Sequence, residues 1–319
     1  MGVKKGIQFL PIALFSSVMG LASLTIAYLR LETINGMNHY LSILMTLFVT
    51  LIFLLQAYVV IYRMIYHRHS IIEDLNHPVK MNFYGTISIS LFLLAVLYYD
   101  WHDLLSYSVW LIGAIIQIGL TLRLLTILFW EKTFTIEQFN PTWFIPIVGN
   151  IVAPLSGSLH VDPLINAFFF SIGIVFTFVY LVIFTYRMIF IGNLPMMLTP
   201  TLFIVIAPLS VGVVAYFNIT NEMGIFIYIL YGLATYLLLL YIYQCRRFFT
   251  IPFTISWWAY LFPLAAYLNA TILLSVPIGT LYIRIWMVSL LIIITGLALY
   301  LTIKTLKLLI KGKLFLAQK

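Results

Sequence analysis

The chain has 319 residues, 63% of them apolar and 8% charged, with a formal net charge of +8 and a single cysteine, Cys245. No soluble domain of this length carries so much apolar surface without aggregating, so the chain reads as a polytopic membrane protein. A lone cysteine excludes an intramolecular disulfide, and there is no Cys/His cluster with structural-zinc spacing.

In chain order, Lys4 and Lys5 ahead of an apolar run resemble the start of a signal peptide. The run Ile7 to Leu29 is too long for one and lacks a clean small-x-small cleavage site, so it is expected to remain as the first membrane helix. Apolar runs of bilayer length give ten spans, near 8–29, 40–65, 81–99, 106–129, 142–160, 164–190, 199–217, 223–245, 254–275 and 281–306. Connections are short, so the expectation is a single transmembrane domain over 1–319.

Basic residues set the orientation. One face collects Lys4, Lys5, Arg63, Arg68, Lys80, Arg123, Lys132, Arg187, Arg246, Arg247, Lys304, Lys307, Lys311, Lys313 and Lys319, and only Arg30 and Arg284 fall on the other. That bias predicts cytoplasmic termini in a cell (inner or plasma) membrane. The positive charge is thus a topology signal, and nucleic-acid binding is not expected.

Proline alternates with the spans. Pro11, Pro146, Pro154, Pro200, Pro208 and Pro263 fall in spans one, five, seven and nine, Pro163 and Pro277 in outer turns, and none in the even spans as drawn. Irregular backbone belongs beside protein or water, while regular helix can face lipid. The predicted fold is therefore all-α: five helical hairpins, with the odd helices as an inner ring around a central pore and the even helices around them.

The odd spans hold no charge through their membrane depth. Ser16, Ser88, Asn150, Ser210 and Asn269 are candidate pore-lining groups, joined by the rings of Phe15, Phe92 and Phe203. Proton-coupled carriers usually keep an ionisable group in the membrane, so its absence favours a channel-like path. Helix N-termini and basic residues at the inner mouth favour anions. In span nine, Phe262 stands immediately before Pro263, and a large ring at a distorted point of an uncharged pore is a candidate plug.

The run Trp258-Ala-Tyr-Leu-Phe-Pro-Leu-Ala265 through Asn269 resembles the ninth helix of the tellurite-resistance/dicarboxylate transporter family, which includes the plant slow anion channels. Met19-Gly-Leu-Ala-Ser-Leu24, His77-Pro-Val-Lys80 and Asn140-Pro-Thr-Trp-Phe-Ile-Pro146 support it. The resemblance implies a homotrimer of ten-helix protomers, each with a pore of five proline-kinked inner helices occluded by a phenylalanine, matched here by Phe262. It further implies passage of small monovalent anions such as chloride and nitrate. The alternative is a secondary exporter of malate, sulfite or a tellurite-type oxyanion.

Other features take plainer readings. His67, Arg68, His69 and His77 match no metal-site spacing and read as a solvated loop. His102 and His160 read as interfacial, Trp257, Trp258 and Tyr260 as an aromatic belt, and Arg123 and Arg187 as snorkelling side chains. No span pairs His, Asp or Glu at i, i+3 or i+4, and there is no phosphate loop or dinucleotide fingerprint, so neither an enzyme nor a bound cofactor or metal is expected.

Overall fold

The computed structural model describes residues 6–131 and 134–315. Lys4, Lys5, Lys132 and Lys319, counted above for orientation, lie outside the described residues. In chain order the α-helices are α1 (Phe15–Ile34), α2 (Tyr40–Tyr66), α3 (Arg68–Leu75), α4 (Lys80–Phe83), α5 (Gly85–Tyr98) and α6 (Asp103–Thr126). They continue with α7 (Phe144–Gly157), α8 (Pro163–Phe190), α9 (Ile206–Thr220), α10 (Ile225–Tyr243), α11 (Cys245–Phe249), α12 (Leu261–Ile278) and α13 (Leu281–Ile310). Among the described residues there is no strand: the protein is an all-α membrane protein.

Nine of the ten expected spans are matched by length, and the fifth is shorter. Among the described residues nine helical stretches are long and apolar enough to cross a bilayer, and α7, at 14 residues, is not. Its rise is about 21 Å, short of the ~30 Å hydrocarbon core, and the 3-10 turn Pro141–Trp143 ahead of it adds about 6 Å. The helix ends at Gly157 with Pro154 inside its last turn.

Packing closes a ring. α1 lies beside α5, α5 beside α7, α7 beside α9, α9 beside α12, and α12 returns to α1. Behind each stands its sequence neighbour: α2 on α1, α6 on α5, α8 on α7, α10 on α9 and α13 on α12. Burial follows position. The membrane windows of α1, α5, α9 and α12 are 67–89% buried and those of α2, α6, α8, α10 and α13 only 22–33%, which leaves Leu44, Ile115, Val182 and Ile292 bare on the outside for lipid.

Four ring helices begin the same way. A 3-10 stretch runs into an α-helix: Ile12–Leu14 into α1, Pro141–Trp143 into α7, Met196–Val205 into α9 and Ile255–Tyr260 into α12. Pro146, Pro208 and Pro263 are each the third residue of their α-helix. The first amides of an α-helix have no acceptor within it, so a missing N–H costs little there. The irregularity is thus a change of helix type near the start of the span.

The remaining prolines divide. Pro11 sits with extended backbone ahead of the first 3-10 turn, and Pro200 lies inside the 3-10 stretch before α9. Pro154 lies inside α7. Pro163 opens α8, and Pro277, expected in an outer turn, is the penultimate residue of α12.

The loop after α2 is pinned by charge. Arg63, 3% exposed, donates to Asp74 at 2.5 Å and to the Ser70 hydroxyl at 2.7 Å, and Lys80 lies 3.2 Å from Asp74. His69 meets Glu73 at 3.3 Å with both side chains in solvent. Two expectations at this end fail. Trp258 and Tyr260 are buried in the protein instead of forming a belt, Trp258 donating to Thr305 at 2.9 Å. Arg187 does not snorkel; it is 4% exposed and closes the end of α8 on the Gly192 carbonyl.

Candidate functional site

A ring of five helices has one direction that all of them share, its axis. A small cavity lies on it, walled by Ile26 of α1, Leu93 of α5, Leu155 of α7, Val211 and Val214 of α9 and Phe262 of α12. Every ring helix contributes, which places the cavity at the centre of the ring. Its volume is ≈ 10 Å³, about enough for the centre of one water molecule and too little for a hydrated ion.

Phe262 forms the end of the cavity nearer the helix starts. It is the second residue of α12 and 2% exposed, while Ala266 and Asn269, one and two turns further on, share its face and line the same space. The close approach of α1 seats this turn. A Cβ on Gly20 would stand 2.8 Å from the Leu261 side chain, so only glycine admits α12 so near. In α7 and α9 the residues equivalent to Phe262 by position before the proline are Ile145 and Ala207, so one of three equivalent positions carries a ring.

Asn269 bridges α12 and α1. Its amide nitrogen donates to the Ser23 carbonyl at 2.8 Å and to the Ala265 carbonyl at 2.9 Å. Both partners can only accept, so the NH2 must face them, and the Oδ1, which has no partner, is the free end. Ser23 is a further polar group on the wall.

Arg30 also lines this cavity, contrary to the charge-free pore read from the sequence. The first span was drawn to end at 29, but α1 continues to Ile34, so Arg30 lies about one turn inside the helix. Its guanidinium reaches the Asn269 carbonyl at 3.5 Å.

The other lining candidates scatter. Ser88 donates to Gln117 of α6 at 2.7 Å. Asn150 donates to Thr121 of α6 at 2.9 Å and to the Pro146 carbonyl at 3.1 Å. Phe92 packs where Gly113 of α6 makes room, and Phe15 meets Phe53 of α2 edge-on with ring centroids 6.0 Å apart. These four turn to the seam between inner and outer helices. Phe203 joins Tyr241, Phe248 and Tyr260 in an aromatic cluster near the start of α9 and α12. Ser16 and Ser210 are buried, and the Ser210 hydroxyl has no partner. Of the eight, Asn269 is the one that borders the axial cavity.

His160 and His102 lie at the far corner of the ring, outside the spans. His102 accepts from the Leu105 amide at 3.2 Å and caps α6. The His160 ring is enclosed by Tyr99 and Tyr107, bonded to Ser106 at 2.7 Å and set 3.3 Å from Asp103. Burial lowers its pKa, and Asp103 opposes that only in part.

Comparison with known proteins places this architecture. The chain is 28% identical over 289 residues to an uncharacterised transporter of Methanocaldococcus jannaschii, covering 83% of each chain. It is 25% identical over 282 residues to the S-type anion channel SLAH2 of Arabidopsis thaliana, covering 82% of this chain and 52% of the other. It is 25% identical over 266 residues to the tellurite resistance protein TehA homolog of Haemophilus influenzae, covering 82% and 80%. The SLAC1 family model, described as voltage-dependent anion channel, matches residues 10–306, and the chain belongs to that family.

Proposed function

We propose that the protein is a gated channel for small monovalent anions such as chloride and nitrate, that the path follows the ring axis, and that Phe262 closes it. The observation that carries this reading is the axial cavity, to which all five ring helices contribute, with Phe262 at one end and room for about one water. A buried ring across a narrow apolar passage blocks ions by sterics and by excluding water. The starts of the ring helices gather at the face rich in Arg and Lys, and their partial positive charge attracts anions there. That face is assigned to the cytoplasm, with both termini on it, by the basic bias. The protomer assembles as a homotrimer in the cell membrane, each copy with its own path, as the family resemblance implies.

The test is two-electrode recording from cells expressing wild type and Phe262→Ala at equal surface density, with chloride replaced in turn by nitrate, malate and a large impermeant anion. The expected result is a current at least about tenfold larger in the variant, with reversal potentials that follow the small anions. Equal currents in the two proteins refute Phe262 as the gate. Silence in both, with uptake of labelled malate or sulfite, would instead establish an exporter on the same fold.

A further inference from the structure

We infer that Arg30 makes the outer half of the axial cavity a binding site for one partly dehydrated small monovalent anion, a halide or nitrate. The inference rests on the proposed axial anion path and adds to it a fixed positive charge beyond Phe262.

The geometry begins with helix direction. On α1, Ser23, Ile26 and Arg30 recur at three- and four-residue steps and so share the face toward the cavity. On α12 the matching face carries Phe262, Ala266 and Asn269. Seven residues separate Phe262 from Asn269, a rise of roughly 10 Å, so the Arg30 guanidinium beside the Asn269 carbonyl lies about that far outward of the ring. A long side chain on a helix leans toward the helix start, which carries this one inward. An arginine one turn inside a membrane helix can extend to the headgroups; this one is half-buried and lines the axial cavity.

Its charge is uncompensated. Among the described residues no carboxylate lies within 4 Å of Arg30. The nearest acid in sequence, Glu32, is two residues on and therefore on another face, buried and accepting from the Ser42 amide of α2 at 3.3 Å. Guanidinium stays charged at any working pH and offers five donors, of which one is engaged, at the long distance of 3.5 Å. The other polar wall groups cannot replace it: the Asn269 NH2 is spent on two carbonyls, which leaves its free oxygen, an acceptor, and the Ser23 hydroxyl is a single donor. An anion that has shed water at Phe262 is thus met by one strong, unpaired donor group in a low-dielectric wall, where a single charge acts most strongly. One charge without a cage binds weakly enough to let the ion leave, as conduction requires.

The test uses the full chain with the ring removed. Currents are compared for Phe262→Ala, Phe262→Ala/Arg30→Gln and Phe262→Ala/Arg30→Lys at matched surface density, with selectivity read from reversal potentials in a sodium chloride gradient. Loss of about tenfold in chloride current and of anion preference in the Gln variant, with recovery in the Lys variant, is the expected result. If Phe262→Ala conducts and the Gln variant keeps both current and reversal potential, the Arg30 site is refuted while the gate stands. If Phe262→Ala is silent, the gate reading fails by itself. Chloride NMR line broadening by the purified Phe262→Ala protein then decides the site: broadening that disappears with Arg30→Gln supports it, and equal broadening overturns it.

Discussion

Two asparagines on ring helices do nearly the same thing in places with opposite consequences. Asn150 on α7 and Asn269 on α12 each donate back to the carbonyl four residues earlier and across to a neighbouring helix. Asn150 crosses to α6, an outer helix, where Gln117 also donates to the Pro146 carbonyl at 2.5 Å and to Thr121 at 3.0 Å and accepts from Ser88 at 2.7 Å. That network ties α5, α6 and α7 together in an apolar interior and stands off the axis. Asn269 crosses to α1, a ring neighbour, and lines the axial cavity. The Oδ1 of each has no partner; what separates the two is the neighbour, since Asn150 ties an inner helix to an outer one while Asn269 joins two ring helices. A polar residue in a proline-bearing membrane helix therefore has no fixed meaning until its neighbour is known.

The largest expected effect separates conduction from packing at equivalent positions. Phe262→Ala raises anion current at least about tenfold at matched surface density, beside a packing cost on the order of 3 kcal/mol. Ile145→Ala, at the matching position before Pro146 and 2% exposed, removes a core side chain and leaves the current at the wild-type level. Its cost is about 2–4 kcal/mol, read as a fall in melting temperature of the purified protein. Current from Ile145→Ala would mean that the seal is a shared property of the ring.

A smaller effect tests the seam. A Cβ on Gly149 would lie 2.1 Å from the Gln117 Oε1, so Gly149→Ala forces Gln117 out of its network and costs about 1–3 kcal/mol. Gln117→Ala removes the clash and the network together. The double variant should therefore be more stable than the sum of the two single losses, a coupling that a melting-temperature cycle measures. None of the three should change the current of a Phe262→Ala protein at matched surface density. If one does, the seam and the path are not separate.

The smallest effect lies at the far corner. Enclosure holds the His160 pKa below its ordinary value, so at a pH between the two values the unfolded chain binds a proton that the folded protein refuses. Stability is complete above about pH 6.5 and declines as pH falls through that value toward the lower folded pKa. His77 is lowered as well, by burial first and then by Lys80, and contributes a slope of the same sign. Melting temperatures from pH 7.5 down to 5.5 should fall less steeply in His160→Gln than in wild type, with the His77 share remaining. Identical slopes would show that His160 titrates alike in both states.

Much was legible in the amino-acid order because the bilayer is a demanding solvent. Apolar length, basic bias and the alternation of proline set the class, and apolar length the presence and approximate place of nine spans, since each is a local requirement of backbone hydrogen bonding and charge burial. The run around Phe262 and Pro263 pointed to the family that comparison assigned. Other things were not local. Whether Ser88, Phe92 and Asn150 look toward the axis or toward α6 depends on how ring helices rotate against their outer partners, and nearly all-apolar helices carry no polar stripe to reveal that rotation. The length of α7 turned on where a 3-10 turn gives way to α-helix. The place of Arg30 was the most consequential of these. Hydropathy ended the first span one residue before it and set its charge outside, but α1 runs one turn further, and α12 packs close enough beside Gly20 for that side chain to reach the shared cavity. Sequence alone determined that charge would be scarce in this membrane domain; only the packing of α12 against α1 decided that one of the few charges lines its axial cavity.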